Sequence, residues 1–201
     1  MCTQFRAKSR CLAGLLWAAS IGATNAATIV NGGFETGDLT GWTLSNPSVW
    51  DAVCVAGSTI GASTCIANSG TNAMAFGKPD TVATLSQSIV TVPGSRYTVS
   101  FYLANDNPGG SQLESFAMTW DGTTVFSLPN PQASFAYSQR VILNLTATGA
   151  STVLTFEAQH DPFSWFLDDV SIADVPEPGS LLLCGIGLAA IAGTRLRRKK
   201  A

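Results

Sequence analysis

Strict alternation of apolar and polar side chains is the feature of this 201-residue chain that most restricts its fold. In residues 96–103 every second side chain is large and apolar, beginning with Tyr97 and ending with Leu103. Successive side chains of a β-strand point to opposite faces, so this pattern predicts a strand with one face in a core. Helical periodicity is almost absent between residues 27 and 174. The middle of the chain is therefore predicted to be all-β.

A tight hairpin is predicted where Asp121 and Gly122 separate two alternating segments, because this dipeptide favours a two-residue turn. The segments on either side are residues 114–120 and 123–128. Short strands without intervening helices are typical of two packed antiparallel sheets. We expect residues 27–174 to form an antiparallel jelly-roll β-sandwich, flanked by an N-terminal signal helix and a C-terminal transmembrane helix. Further strands are predicted over residues 85–92, 140–147, 151–158 and 164–173, with weaker ones near 42–44, 50–55 and 73–77.

The first 26 residues have the pattern of a secretory signal peptide. A basic start is followed by a short apolar stretch and then by small residues up to Ala26. The apolar stretch is too short to span a bilayer permanently. We predict export, with cleavage after Ala26 or at the neighbouring Ala23 or Ala27.

The other end of the chain combines a proline-rich linker, residues 175–179, with an uncharged apolar stretch, residues 180–194. As a helix this stretch reaches about 22 Å against roughly 30 Å of hydrocarbon, so a transmembrane helix would need its flanks or a thinned bilayer. A basic tail, residues 195–201, follows and orients this end towards the cytoplasm. Its cations, expected to flank the membrane anchor, are Arg195, Arg197, Arg198, Lys199 and Lys200.

The exported domain is strongly acidic once both ends are set aside. Between residues 27 and 178 the cations are Lys78, Arg96 and Arg140, against all 13 acidic residues of the chain. Such a surface repels nucleic acid, so DNA or RNA binding is excluded as a function class. Cys54 and Cys65 are the two cysteines of the domain, and in an oxidising compartment we expect them to form a disulfide.

Two carboxylate-bearing segments need an explanation. In the strand predicted over residues 164–173, alternation places Asp168 on the same face as Phe166 and Val170, and it points Asp169 to the opposite face. An unpaired buried charge is costly, so Asp168 needs a cation, an arginine or solvent as a partner. The glycine-rich run 31–42 carries Glu35 and suits calcium, although its glycines are equally consistent with simple turns.

Catalytic machinery is not recognisable in the sequence, and we expect a protein that is not an enzyme. His160 is the single histidine and lacks a nucleophile motif, so we interpret it as a polar loop residue. Aromatic side chains outside the most apolar strand faces are candidates for stacking on sugar rings, although aromatics in a sandwich more often belong to the core. The candidates are Trp50, Tyr102 and Trp165.

The segments NGGFETGDLTGW and WFLDDVSI resemble the first and last motifs of jelly-roll carbohydrate-binding modules and galactose-binding-like domains. This resemblance implies a structural calcium held by the glutamate of the first motif and the first aspartate of the last, with help from main-chain oxygens. Carried over by position, the ligands are Glu35, Asp168 and the carbonyls of Asn31 and Gly33.

The segment VPEPGS, with the apolar stretch and RLRRKK after it, resembles the PEP-CTERM sorting signal, whose signature here is Pro176, Glu177 and Pro178. The resemblance implies anchoring in the inner membrane, cleavage by an exosortase-type enzyme and a link to exopolysaccharide or biofilm. We therefore expect a structural or interaction protein of the cell surface or extracellular matrix. The alternatives are a module that binds the co-exported polysaccharide and, less favoured, an exported hydrolase.

Overall fold

A computed structural model of the chain describes residues 26–108, 113–128 and 133–176. The predicted signal peptide, apart from Ala26, lies outside the described residues, as do the apolar stretch 180–194 and the basic tail. The described part of the chain has no helix with the length and apolar character that a bilayer span requires.

Two five-stranded antiparallel sheets form the described domain, as the alternation predicts. The first sheet has the strand order β1-β6-β11-β8-β9 and the second the order β10-β7-β12-β5-β2. The strands of the first sheet are β1 (Thr43–Ser45), β6 (Ala83–Val90), β8 (Leu113–Trp120), β9 (Thr123–Leu128) and β11 (Ser151–Asp161). Those of the second sheet are β2 (Ala52–Val55), β5 (Asn72–Phe76), β7 (Arg96–Asp106), β10 (Phe135–Thr146) and β12 (Ser164–Val175).

The two sheets face each other across an aromatic core, which makes the domain a β-sandwich. Phe101 of the second sheet lies with its ring centroid 5.1 Å from that of Phe156 and 6.1 Å from that of Phe116, both in the first sheet. All three side chains are buried. Tyr97 to Leu103 bury alternate side chains as predicted, and Asp121 and Gly122 adopt the positive φ angles of the predicted hairpin turn.

A second apolar cluster lies on the outer face of the second sheet. It contains Phe166, Ala75 and Ala104 together with the two cysteines. The predicted disulfide between Cys54 and Cys65 is confirmed, with their Cα atoms 6.1 Å apart. Between the cysteines lies a small hairpin, β3 (Thr59–Ile60) and β4 (Ser63–Thr64), that the sequence analysis did not predict.

His160 differs from its predicted role as a loop residue, because it belongs to β11 and is completely buried. Its Nε2 lies 2.8 Å from Oδ1 of Asn105 and 3.3 Å from Oε2 of Glu114. Its ring also packs edge-on against Trp165, with centroids 5.5 Å apart. Burial lowers the pKa of His160 from 6.5 to about 4, since the charged imidazolium is poorly solvated there.

This buried histidine predicts a loss of stability in acid. The unfolded chain takes up a proton at His160 below pH 6.5, whereas the folded protein does so only near pH 4. Protonation therefore favours the unfolded chain, so the free energy of unfolding is highest above pH 6.5 and decreases as the pH falls. Urea unfolding followed by tryptophan fluorescence should show a free energy of unfolding about 2 kcal/mol lower at pH 5 than at pH 7 from this group. His160→Gln should lack this part of the pH dependence. The same decrease in the free energy of unfolding between pH 7 and pH 5 in both proteins would contradict the assignment to His160.

Candidate functional site

The glycine-rich opening segment folds into a compact turn against the core. Asn31 and Phe34 adopt positive φ angles of 51° and 57°, and the Phe34 ring is fully buried. The main-chain carbonyl of Asn31 accepts hydrogen bonds from the indole N–H of Trp42 at 3.0 Å and from the Phe34 N–H at 3.2 Å. This carbonyl is therefore committed to the turn, which weakens its predicted role as a calcium ligand.

Glu35 extends from this turn to the polar loop formed by residues 68–72. Its carboxylate accepts hydrogen bonds from the main-chain N–H of Asn72 at 2.8 Å and of Thr71 at 3.0 Å. These donors hold the pKa of Glu35 below its usual value, with the Asn72 N–H contributing most. Glu35 remains exposed to solvent, and its carboxylate tethers the opening turn to the loop.

A β-bulge in β12 changes the predicted directions of Asp169 and Val170. Three steps along β12, from Asp168 to Ser171, match only two along β7, and Asp169 has a left-handed φ of 48°. Alternation is therefore interrupted, and Val170 packs in the main core while Phe166 packs in the outer cluster. The prediction that these two residues share a face is wrong for this reason.

Asp168 and Asp169 meet the same loop, whereas the sequence analysis placed them on opposite faces. Asp168 is completely buried, and its Oδ2 accepts N–H groups from Asn68 at 2.8 Å and Ser69 at 3.3 Å. Asp169 accepts the Asn68 side-chain amide and the Ser69 hydroxyl, both at 2.7 Å. Burial raises the pKa of Asp168 to about 6, against the opposing effect of its N–H donors.

Glu35, Asp168 and Asp169, which we term the carboxylate cluster, surround Gly33. A Cβ atom at Gly33 would lie 3.3 Å from an Asp169 carboxylate oxygen, 3.7 Å from an Asp168 oxygen and 3.8 Å from Cγ of Glu35. Of the three, sequence reasoning missed Asp169, and it also missed the loop that donates to all of them.

The surroundings of the carboxylate cluster are negative. Within the described ranges, no lysine or arginine lies at ion-pair distance from these acids. Burial and the charges of Asp168 and Asp169 raise the pKa of Tyr137, whose hydroxyl donates to the Ile66 carbonyl at 3.0 Å. Among the described residues, no three His, Cys, Asp or Glu side chains form a ready metal-ligand group, and Glu35 turns its oxygens towards the loop.

The three aromatic candidates have different environments. Trp165 is completely buried, with its ring 5.6 Å from Phe116 and its indole N–H donated to the Gln159 carbonyl. Its predicted role in sugar stacking is therefore corrected: Trp165 is a core residue that a sugar ring cannot reach in this structure. Tyr102 is partly buried and pairs with Asp168 across the second sheet.

Trp50 is the candidate that remains available at the surface. It is 37% exposed, next to the 87% exposed Val49. A Cβ at Gly61 would lie 3.6 Å from Cγ of Trp50, so the backbone at Gly61 supports the indole. Of the predicted sorting signature, Pro176 is the last described residue, while Glu177, Pro178 and the five cations of the tail lie outside the described residues.

Comparison with known proteins gives one family match, to the PEP-CTERM protein-sorting motif over residues 174–199. No curated protein matches the chain. Among solved structures, TmCBM61 in complex with β-1,4-galactotriose matches with a TM-score of 0.51 and 19% identity, covering 72% of this chain and 96% of that one.

Two further matches show how widely this fold is used. A Stig cyclase from Fischerella sp. TAU has a TM-score of 0.53 at 15% identity, covering 77% of this chain and 100% of the cyclase. The K3 cleaved adhesin domain of Lys-gingipain from Porphyromonas gingivalis has a TM-score of 0.52 at 14% identity, covering 73% of this chain and 99% of the adhesin domain. At these identities the likeness shows the fold alone. The chain thus carries a PEP-CTERM sorting motif, which marks an exported protein, behind a β-sandwich with the fold of a carbohydrate-binding module.

Proposed function

We propose that this chain is an exported protein of the cell surface or extracellular matrix whose β-sandwich binds a polysaccharide. The observation that carries the proposal is the attachment of a PEP-CTERM sorting motif to a domain with the fold of a carbohydrate-binding module. The motif is a sorting signal of exported proteins, so the domain would meet extracellular polymers. The fold is one on which a galactotriose complex has been solved for another protein.

Trp50 is the residue that best supports a sugar contact. Sugar rings present apolar C–H faces, which stack on flat aromatic side chains in water. The Trp50 indole is half-exposed and is held from behind by the backbone at Gly61, so its orientation is supported. Lys78 lies near the same end, with its ammonium donating to the Pro47 carbonyl at 3.4 Å. This end of the sandwich combines an exposed ring with polar groups at its edge.

A structural role without glycan binding is the second candidate, since the Lys-gingipain adhesin domain shares the fold. Catalysis is less favoured. The buried His160, Asn105 and Glu114 group is sealed in the core, and the carboxylate cluster is occupied by hydrogen bonds from the 68–72 loop. The fold by itself does not decide this question, because a cyclase also has it.

Removal of the Trp50 ring should weaken polysaccharide binding. Affinity electrophoresis in gels that contain galactan, xylan or the polysaccharide of the producing cells should show retardation of the protein. Trp50→Ala should reduce the affinity at least about tenfold, which corresponds to 1.4 kcal/mol or more. Val49→Ala, a change at the exposed neighbour, is the matched control and should bind normally. If no polysaccharide retards the protein, the structural role replaces this proposal.

A structural calcium ion at the carboxylate cluster is our second proposal, because the acids there are the type of donor that calcium prefers. Oxygens of Asp169 and Asp168 lie 3.3 Å and 3.7 Å from the position that a Cβ would take at Gly33. Glu35 lies beside them and would turn its oxygens from the loop to join them. Among the described residues, no lysine or arginine lies at ion-pair distance from these carboxylates. Glu35, Asp168, Asp169 and the main chain near Gly33 would hold the ion. Asp169 replaces the Asn31 carbonyl of the predicted ligand set, because that carbonyl already accepts two hydrogen bonds. The ion would supply the positive charge that keeps the loop and the opening turn together.

Chelation should lower the stability of the domain if calcium is bound. Because a ligand of the folded state stabilises it by mass action, we expect the melting temperature to fall by about 5 °C or more when calcium is replaced by EDTA. Asp168→Asn should remove this sensitivity. Asp38→Asn changes an acid of the same opening segment that binds Thr36 and Thr40 instead, so it should keep the sensitivity. If the melting temperature of the wild type is the same in calcium and in EDTA, the protein has no calcium site of this kind.

Transient anchoring in the inner membrane, followed by exosortase-type cleavage near Pro176, Glu177 and Pro178, is the third part of the proposal. The PEP-CTERM match supports it. The apolar stretch 180–194 would hold the chain, and the basic tail would stop its transfer. Final release would place the domain in an exopolysaccharide or biofilm matrix.

Deletion of residues 195–201 should therefore change where the protein accumulates. Without cations to stop transfer, we expect the membrane-bound precursor to decrease, as measured by immunoblots of membrane, surface and medium fractions. Arg96→Gln and Arg140→Gln, which remove cations from the folded domain, are controls and should leave the distribution unchanged. An unaltered distribution after the deletion would count against sorting by this tail.

A further inference from the structure

A cleft of about 270 Å³ lies at the edge of the sandwich where the β8–β9 hairpin of the first sheet meets the end of β10 in the second. Its apolar wall consists of Trp120, Val125 and Leu145. The indole N–H of Trp120 is committed to the Thr146 carbonyl at 2.9 Å, so the indole offers the cleft an apolar surface. We name this cleft the Asn144 pocket.

The polar rim of the Asn144 pocket comes from both sheets. Asp121 stands in the hairpin turn, and its Oδ2 accepts the Thr148 hydroxyl at 2.9 Å, which ties the hairpin to the segment after β10. Thr123 and Asn144 line the same space and are exposed. The rim therefore presents a carboxylate, an amide and hydroxyl groups around an apolar wall.

Asn144 is held in an unusual backbone conformation at this pocket. Its φ is 60°, and the register of β10 against β7 shifts between Ile142 and Leu145. A bulge redirects the side chains of its strand, and left-handed non-glycine residues persist where surrounding structure holds them. The bulge turns Leu145 into the core while Asn144 stays at the surface beside the cleft.

We propose that the Asn144 pocket binds a single neutral pyranose ring, at a site separate from Trp50. A cleft near the lower end of ligand-pocket volumes, roughly 300 Å³, accommodates one ring rather than an oligosaccharide. The apolar wall suits the C–H face of the ring, and the carboxylate and amide oxygens accept its hydroxyl groups. The lining contains no cation, and Asp121 repels anions, so a uronic acid does not fit.

Strand register places the pocket and Trp50 at opposite ends of the domain. Leu154 pairs with Trp120 beside the pocket, whereas Asp161 ends β11 next to Pro162, whose carbonyl lies near Gly61 under Trp50. Seven residues of β11 separate these points, about 24 Å at 3.4 Å per residue. The domain would then hold sugar at both ends and could bridge two polysaccharide segments.

The chain leaves the domain at the pocket end. Thr146 of β10 and Val175 of β12 both pair with Arg96 of β7, so the linker to the sorting motif begins two strands from the pocket. Trp50 would point away from the membrane while the tail anchors the chain. The Asn144 pocket would lie on the side nearest to the bilayer.

Saturation-transfer difference NMR on the full chain in detergent micelles tests the pocket, with methyl β-galactopyranoside and methyl β-xylopyranoside as probes and galacturonate as the anionic comparison. We expect saturable transfer to at least one neutral probe at millimolar concentration. Thr123→Phe, which fills the mouth, should reduce it at least fivefold. Asn144→Gly, which removes the amide while glycine tolerates the positive φ, should do the same.

Thr124→Phe is the matched control, because Thr124 pairs with Thr119 on the outer face of the first sheet. It should bind like the wild type. In a Trp50→Ala background, which removes the other candidate sugar contact, Thr123→Phe should still cause its loss of transfer, and this separates the pocket from the proposed function. Three results would overturn the pocket: no saturable transfer in the wild type, equal loss in Thr123→Phe and Thr124→Phe, or binding of galacturonate as strong as that of the neutral probes. Unchanged melting temperatures establish that each variant is folded.

Discussion

Burial of aromatic side chains between two sheets is the interaction on which the rest of the structure depends. Phe101, Phe116 and Phe156 meet at the centre, and alternation along β7 delivers a large apolar residue to the core at every second position from Tyr97 to Leu103. Each such side chain contributes roughly 1.5–3 kcal/mol when it is buried. Polar residues on the outer faces and at the two ends are then presented by a rigid framework, and both candidate sugar contacts stand at these ends.

The carboxylate cluster shows how this framework concentrates negative charge at one place. Asn68 and Asp168 are 100 positions apart in the chain, yet the main-chain N–H of one meets the carboxylate of the other. The disulfide between Cys54 and Cys65 closes the segment just before this loop and covers the outer face of the second sheet. Formation of that bond in an oxidising compartment is consistent with a domain that completes its folding after export.

The two candidate sugar contacts lie at opposite ends of the sandwich and at different distances from the sorting motif. The linker to the sorting motif begins at the same end as the Asn144 pocket, and Trp50 lies at the opposite end. A domain of this kind would contact matrix polysaccharide through its outer end while it is anchored.

The sequence by itself determined the all-β class, the positions of the longer strands though not their ends, the Asp121–Gly122 turn, the disulfide and the sorting motif, because each depends on neighbours in the chain. It also singled out Glu35 and Asp168, although not the third acid. Only the tertiary structure decided that Asp169 joins them, that Trp165 and His160 are buried, and that Asn144 borders a pocket. The physical reason is that one extra residue in a strand reverses the alternation beyond it, and that burial depends on which distant strands pack together. The periodicity of neighbouring residues predicts neither the position of a bulge nor which distant strands pack together.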